Sequence, residues 1–228
     1  MTEKLTGIPA TMLITLWAKA EETKNENPII VDKKSTNIIS QIDYDFDKFA
    51  NAWKSQLGVA IRTMLMDKAL TDFTKKNKDT IVINLGAGLD TRFERLDNKN
   101  IKFWYDLDLP ESMKLRKNFF EEGKKNSFIE KSIFNFSWIN DIEIDNNPVF
   151  IIAEGLFMYL TENQIKDNKK ILEGIVSYGS TDASEIMKPR VDVVAFDVQL
   201  KFEEVIEKIK KHNYSRIPVY AETFDKVK

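Results

Sequence analysis

The chain has no cysteine and a single histidine, His212. Thiol nucleophiles, disulfides and the usual zinc ligand sets are therefore excluded. Carboxylates are plentiful but form no cluster that would support a hard-metal site, so no metal is expected. Long apolar runs are absent too, and the N-terminus lacks the basic, apolar, small-residue order of a signal peptide. The expectation is a soluble cytoplasmic protein with no membrane partner. Neither charge is in excess: 34 Lys and Arg against 36 Asp and Glu leave a formal charge of -2. Such a balance gives no electrostatic case for nucleic acid as a partner. What is present is 43% hydrophobic content over 228 residues, enough to build one large α/β domain or one domain and a fragment.

Met12, Leu13, Leu16, Trp17 and Ala20 recur at helical spacing with Thr11 as a candidate cap, and Pro28 interrupts the polar segment that follows. A second helix is expected over about 54–76, with Leu57, Ile61, Met64, Leu65 and Leu70 as its apolar stripe. The period then changes. Ile81-Val82-Ile83 and Ile101–Tyr105 predict strands with a short helix between them, the first strand buried on both faces. Pro110 suits the first position of a helix running through Leu115 and Phe119 to a stop at Gly123. Phe128-Ile129 is a weak third strand and Val149–Ala153 a fourth, and Thr161-Glu-Asn-Gln164 matches a capping box. Strands alternating with helices predict a parallel sheet covered on both faces. Beyond about Lys166 the pattern is helix, turn near Gly179, strand Val191–Phe196, helix Lys201–Lys211 and strand Arg216–Tyr220.

Ligands of such sheets sit outside the carboxyl ends of the strands. Gly86, Gly88, Asp108 and Glu154 are all expected at those ends. Gly86 and Gly88 let the chain turn tightly and bring its amides close to a ligand. Asp108 follows about twenty residues later, where a carboxylate can hold both hydroxyls of a ribose. Alone, Asp108 could equally be a carboxylate at the start of the helix at Pro110; with the glycines, ribose binding is favoured. Thr91 stands where a dinucleotide fingerprint has its third glycine, which favours S-adenosylmethionine over NAD. Glu154 is delivered to the rim by its strand, either toward a ligand or into an ion pair with a neighbouring Arg or Lys. Arg62 could meet a cofactor carboxylate or remain solvated. Arg92 and Arg95 are expected in surface or structural pairs, and Trp104, Trp138 and Tyr159 in the core.

Asn84-Leu-Gly-Ala-Gly-Leu-Asp-Thr-Arg92, Trp104-Tyr-Asp-Leu-Asp-Leu-Pro110, Ser132-Ile-Phe-Asn-Phe-Ser-Trp138 and Ala153-Glu-Gly-Leu-Phe-Met-Tyr-Leu160 resemble successive motifs of the leucine carboxyl methyltransferase family, which includes bacterial polyketide O-methyltransferases. Thr15-Leu-Trp-Ala-Lys-Ala20 and Pro28-Ile-Ile-Val-Asp32 resemble the family's entrance segment. The likeness covers roughly residues 5–165. It implies a class I S-adenosylmethionine-dependent, Rossmann-like fold. It also implies that Arg62 meets the methionine carboxylate, that Gly86, Ala87 and Gly88 line the glycine loop, and that Asp108 holds the ribose. Ser132 and Ile133 would flank the adenine and Glu154 would lie near the methionine end. Lys19 stands where the family usually carries arginine, and the aspartate often seen near Ser132 is absent. No catalytic residue is assigned. Transfer from a sulfonium needs alignment and exclusion of water, and a carboxylate acceptor needs no general base.

Ile171–Gly179, Glu185-Ile-Met-Lys-Pro-Arg-Val-Asp-Val193 and Tyr214-Ser-Arg-Ile-Pro-Val-Tyr220 resemble the start of the paired CBS domains in CorC-like and haemolysin-related proteins. The sequence therefore divides into a methyltransferase-like domain over 1–165, short of its usual C-terminal strands, and a partial α+β CBS-like segment over 166–228. Left without its usual neighbour, the strand Val149–Ala153 becomes an apolar edge, open to self-association or covered by Val191–Phe196 or the tail. The expected activity is O-methylation of a carboxylate or acidic hydroxyl on a small molecule or peptide, impaired where the fold is incomplete. The alternatives are an adenosyl-ligand-binding or regulatory module and a non-functional fusion product.

Overall fold

The computed structural model describes residues 10–178, 194–211, 217–221 and 223–227. Two compact units make up the chain, Met1–Ser180 and Thr181–Lys228. The expected turn at Gly179, the motif 184–190, the first residues of the strand 191–196, His212 and residues 214–216 of the motif 214–220 lie outside the described residues.

In the first unit, helices α1 (Ala10–Thr23), α2 (Lys33–Ile39) and α3 (Trp53–Lys76) precede a sheet of β1 (Thr80–Leu85), β2 (Ile101–Asp108), β3 (Asn126–Glu130) and β4 (Val149–Ile152). Helices α4 (Arg92–Arg95), α5 (Pro110–Arg116) and α6 (Glu162–Tyr178) alternate with the strands. All pairings are parallel and the order is β3-β2-β1-β4. This is the Rossmann-like α/β architecture expected. After β1 the chain crosses to β2 on one side and returns to β4 on the other, so a crevice opens at the carboxyl ends of β1 and β4. The β1 residues Thr80–Leu85 are all buried, as their unbroken apolar run requires. Ile81, Ile83, Leu107, Ile129, Trp138 and Ile175 share one core cluster, and Leu70, Val82, Trp104 and Ile152 form another.

The capping box at the start of α6 forms in both directions: the Thr161 amide donates to Gln164 Oε1 at 2.8 Å and the Gln164 amide to Thr161 Oγ1 at 3.4 Å. Pro110 occupies the start of α5, as its fixed φ favours.

Three details of the helices differ from expectation. Helix α1 already includes Thr11, so that residue is not its cap. The stripe on α3 faces outward: Leu57, Ile61, Met64 and Leu65 are exposed, whereas Val59, Ala60, Thr63, Leu70 and Thr74 are buried. Small side chains win that face because Ala18 of α1 and Ala60 of α3, both 0% exposed, permit close packing. Helix α5 stops at Arg116 rather than near Gly123; the amides of Asn118 and Phe119 reach back three residues, to the carbonyls of Leu115 and Arg116 at 3.0 and 2.9 Å. Burial of Arg116 at 1% exposure turns the chain there.

β4 is the outermost strand of the sheet. Phe196, the last residue of the strand expected to cover it, lies in β5 (Phe196–Asp197), which pairs with β6 (Val219–Ala221) in a separate sheet completed by antiparallel β7 (Thr223–Val227). β5 and β6 flank α7 (Phe202–Lys211), so their parallel pairing closes only a short stretch of chain, at a small cost in loop entropy. Helix α6, placed partly in the tail by sequence, packs Ile171, Leu172 and Ile175 on the core of the first unit.

Candidate active site

Gly86 and Gly88 adopt φ of +66° and +45°, the left-handed region that side chains resist. The turn hooks onto the end of β2: the amides of Gly86 and Ala87 donate to Leu107 O at 2.8 and 3.1 Å, and the Gly88 amide donates to Asp108 Oδ2 at 2.7 Å. The glycine loop and the acidic group therefore share one rim. A Cβ on Gly86 would lie 3.1 Å from Leu156 Cδ1, and one on Gly88 3.3 Å from Met12 Cε. Gly86→Ala is expected to lower stability by about 1–2 kcal/mol through its left-handed backbone alone, read as a lower Tm in thermal denaturation; an unchanged Tm would contradict the backbone argument.

A cleft of about 740 Å³ runs from this rim. Arg62, Gly86, Ala87, Gly88, Asp108, Ser132, Ile133 and Glu154 all line it, so the residues expected at the cofactor converge on one cleft. Ser132 and Ile133 follow β3. Ile133 is 7% exposed, and its carbonyl accepts from Trp138 Nε1 at 3.2 Å. Trp104 and Trp138 are core residues, as expected, but Tyr159 is 59% exposed and lines the cleft. Its short 3-10 turn (Phe157–Tyr159) follows the break at Gly155, where φ is +68°, and that break carries the ring out of the apolar layer.

At the other end, Glu154 accepts from Arg62 Nε at 2.8 Å and from Arg92 Nη2. The ion-pair alternative for Glu154 is thus realised, and both partners line the cleft. Arg92 is no surface residue: its guanidinium is 1% exposed and also donates to Asp90 Oδ2 at 2.7 Å and Asp67 Oδ1 at 2.8 Å. Arg95 joins Asp67. Below the entrance, Asp32 is fully buried and accepts from the Ser35 amide at 2.8 Å, Ser35 Oγ at 2.6 Å and Thr91 Oγ1 at 2.6 Å. Lys19 Nζ lies 3.8 Å from Asp32 and 3.9 Å from Asp90. Sequence reasoning missed Asp32, Asp67 and Asp90 because the contacts that draw them together are distant along the chain, with Thr91 for Asp32, Arg92 and Arg95 for Asp67, and Lys19 for Asp90; the near signals were Asp32 closing the entrance motif and Asp90 two residues before its partner Arg92.

These contacts set the protonation states. Burial would raise the Asp90 carboxyl, but Arg92, then Lys19, Arg95 and Arg116, hold it far below the usual carboxylate range. For Asp32 burial is likewise outweighed, by Lys19 and the hydrogen bonds of Ser35 and Thr91. Glu154 is also lowered, burial being overcome chiefly by Arg92. Carboxyls depressed on folding stabilise above their unfolded pKa near 4, and that stability is lost as pH falls through the folded values. Tm is therefore expected to drop steeply as pH falls below about 4, checked by thermal denaturation across a pH series; a Tm constant down to about pH 2 would contradict the network.

The sequence profile of the leucine carboxyl methyltransferase family matches residues 11–175. The chain belongs to that family. Among relatives, it is 30% identical over 182 residues to the tetracenomycin polyketide synthesis O-methyltransferase TcmP of Streptomyces glaucescens, covering 80% of this chain and 66% of that protein. It is 29% identical over 176 residues to the S-adenosyl-L-methionine-dependent methyltransferase dpfgK of Gibberella zeae, covering 71% of this chain and 59% of that protein. The chain thus spans about two thirds or less of the length of these relatives. A separate likeness, 34% identical over 59 residues, is to Hemolysin C of Brachyspira hyodysenteriae, covering 26% of this chain and 22% of that protein. The residues that line the cleft run from Met12 to Leu160, so the cleft falls wholly inside the family match.

Proposed function

We propose that the chain is an S-adenosylmethionine-dependent O-methyltransferase acting on a carboxylate or acidic hydroxyl of a small molecule or peptide. The observation that carries this reading is the convergence of the Gly88 amide and Asp108 at one end of a single cleft with Arg62 and Glu154 at the other. The residues present fit the cofactor. Glycine leaves room at the loop that a Cβ would fill, Asp108 offers oxygens to a ribose, and Arg62 and Glu154 offer a cation and an anion to an amino acid's two charged groups. S-adenosylmethionine bound there would supply a sulfonium methyl group. The chain's part is to align the acceptor oxygen with that group and keep water out.

The acceptor class rests on what the cleft lacks as a base. Glu154 is held ionised chiefly by Arg92, and Asp90 likewise, so neither is poised to take a proton from a neutral phenol. An acceptor already ionised near neutral pH suits such a wall. Calorimetric titration with S-adenosylmethionine, followed by detection of S-adenosylhomocysteine with a panel of carboxylic acids and phenols, tests both parts. Micromolar binding and turnover of acids are expected, and absence of binding overturns the reading.

A second reading draws on the likeness to Hemolysin C: an adenosyl-ligand-binding or regulatory module with a CBS-like tail over 166–228. Its support is that the described sheet of the first unit holds only four strands, ending at β4. Binding without turnover of any acceptor is its expected result.

A further inference from the structure

We propose that Arg116 is a positioning residue for nucleoside binding, setting the ribose carboxylate of Asp108 by gripping the glycine loop from beneath. This inference rests on the adenosyl reading above. Arg116 ends α5, the helix that starts two residues after Asp108, and returns its guanidinium to the underside of the turn. Its Nη1 donates to Gly88 O at 3.0 Å and to Asp90 O at 2.8 Å. Its Nη2 donates to Asp106 Oδ2 at 2.8 Å. The other oxygen of Asp106 accepts from Asn84 Nδ2 and from Trp104 Nε1, each at 2.9 Å. Arg116 and Asp106 are both 1% exposed, so the fork is locked among buried partners. The guanidinium carbon also lies over the Phe120 ring, 4.1 Å from its centroid.

Gly88 is therefore held from both sides. Its carbonyl is bound to Arg116 in the interior, and its amide is bound to Asp108 Oδ2 at the cleft, at 2.7 Å. Because Gly88 has a left-handed backbone, at φ +45°, its orientation is fixed by those two contacts rather than by a side chain. Turning the carbonyl turns the neighbouring peptide groups, and with them the amide that orients Asp108. A planar, bidentate group is needed to reach two carbonyls and a carboxylate at once; lysine supplies the charge without the fork. The buried pair thus sets a loop geometry that charge alone does not.

The test is a double-mutant cycle on the affinity for S-adenosylhomocysteine, using Arg116→Lys and Asp108→Ala in the full chain, with thermal stability measured alongside. If Arg116 acts through Asp108, Arg116→Lys weakens binding by about 10-fold in the wild-type background and by less than about 2-fold in the Asp108→Ala background. A residue that merely supports the fold would cost the same factor in both, and that result overturns the proposal. Should Arg116→Lys not fold, the charge-neutral pair Asp106→Asn with Arg116→Gln removes the fork without stranding a buried charge, and the same non-additivity is expected. Failure of the wild-type protein to bind S-adenosylhomocysteine, or an unaltered affinity in Asp108→Ala, overturns the adenosyl reading itself. A strong Asp108→Ala effect with additive losses overturns only the role given to Arg116.

Discussion

Arg92→Met is expected to lower the free energy of unfolding by about 3–5 kcal/mol, the range for breaking a buried charge network by removing one partner. The guanidinium is 1% exposed and binds three carboxylates, Asp67, Asp90 and Glu154, that come from α3, the glycine loop and the end of β4. Their fates differ once it is gone. Asp67 keeps Arg95 and Glu154 keeps Arg62, but Asp90 is left with Lys19 at 3.9 Å, the Asn84 side-chain amide at 3.3 Å and the backbone amide of residue 92 at 3.2 Å. Asp90 therefore dominates the loss, because its carboxyl is held ionised chiefly by Arg92. A loss of that size is a large share of the roughly 5–15 kcal/mol that holds a domain folded. Urea unfolding followed by the fluorescence of Trp104 and Trp138, both 1% exposed in the native state, reads it directly. Adding Asp90→Asn to the variant is expected to recover part of the deficit by removing the stranded charge, and to reduce the acid sensitivity of Tm. A deficit below about 1 kcal/mol would place Arg92 among ordinary surface pairs and contradict the network.

The strands and the glycine loop were legible because their signals are local. Ile81–Ile83 and Val149–Ile152 are apolar runs too short for helices, and the interval from Gly88 to Asp108 fixes one turn of the β-α-β unit. Facing was harder to read. Leu57, Ile61, Met64 and Leu65 form a valid helical stripe, yet the buried side of α3 is lined by Val59, Ala60 and Thr63, because the tight approach of α1 rewards small residues over large ones. Ion pairs were hardest. Nothing near Arg92 in the chain announces Asp67 or Glu154, since the contacts span 25 and 62 positions and exist only once β1, β4 and α3 have met. Tyr159 illustrates the same limit at a single residue, where Gly155 diverts the chain from the core to the cleft wall.

Asp108→Ala is expected to weaken binding of S-adenosylmethionine by at least about 100-fold, the equivalent of about 3 kcal/mol. Asp108 Oδ2 accepts the Gly88 amide and Oδ1 the Leu109 amide, each at 2.7 Å. Each carboxylate oxygen has a second lone pair, so both remain able to accept one hydroxyl of a ribose diol while the amides hold the group in place. Alanine removes both acceptors and also releases the Gly88 amide, so the loop loses its anchor at the cleft. Asp108→Asn separates these effects. One acceptor oxygen and the side-chain shape survive, and an intermediate loss of about 10-fold is expected, since a neutral acceptor forms hydrogen bonds roughly half as strong as a charged one. Calorimetric titration of both variants, with thermal unfolding as a check on folding, gives the ranking. Affinity that is unmoved in a folded Asp108→Ala protein would return this carboxylate to the other role its position allows, a charge at the start of α5 facing the helix dipole.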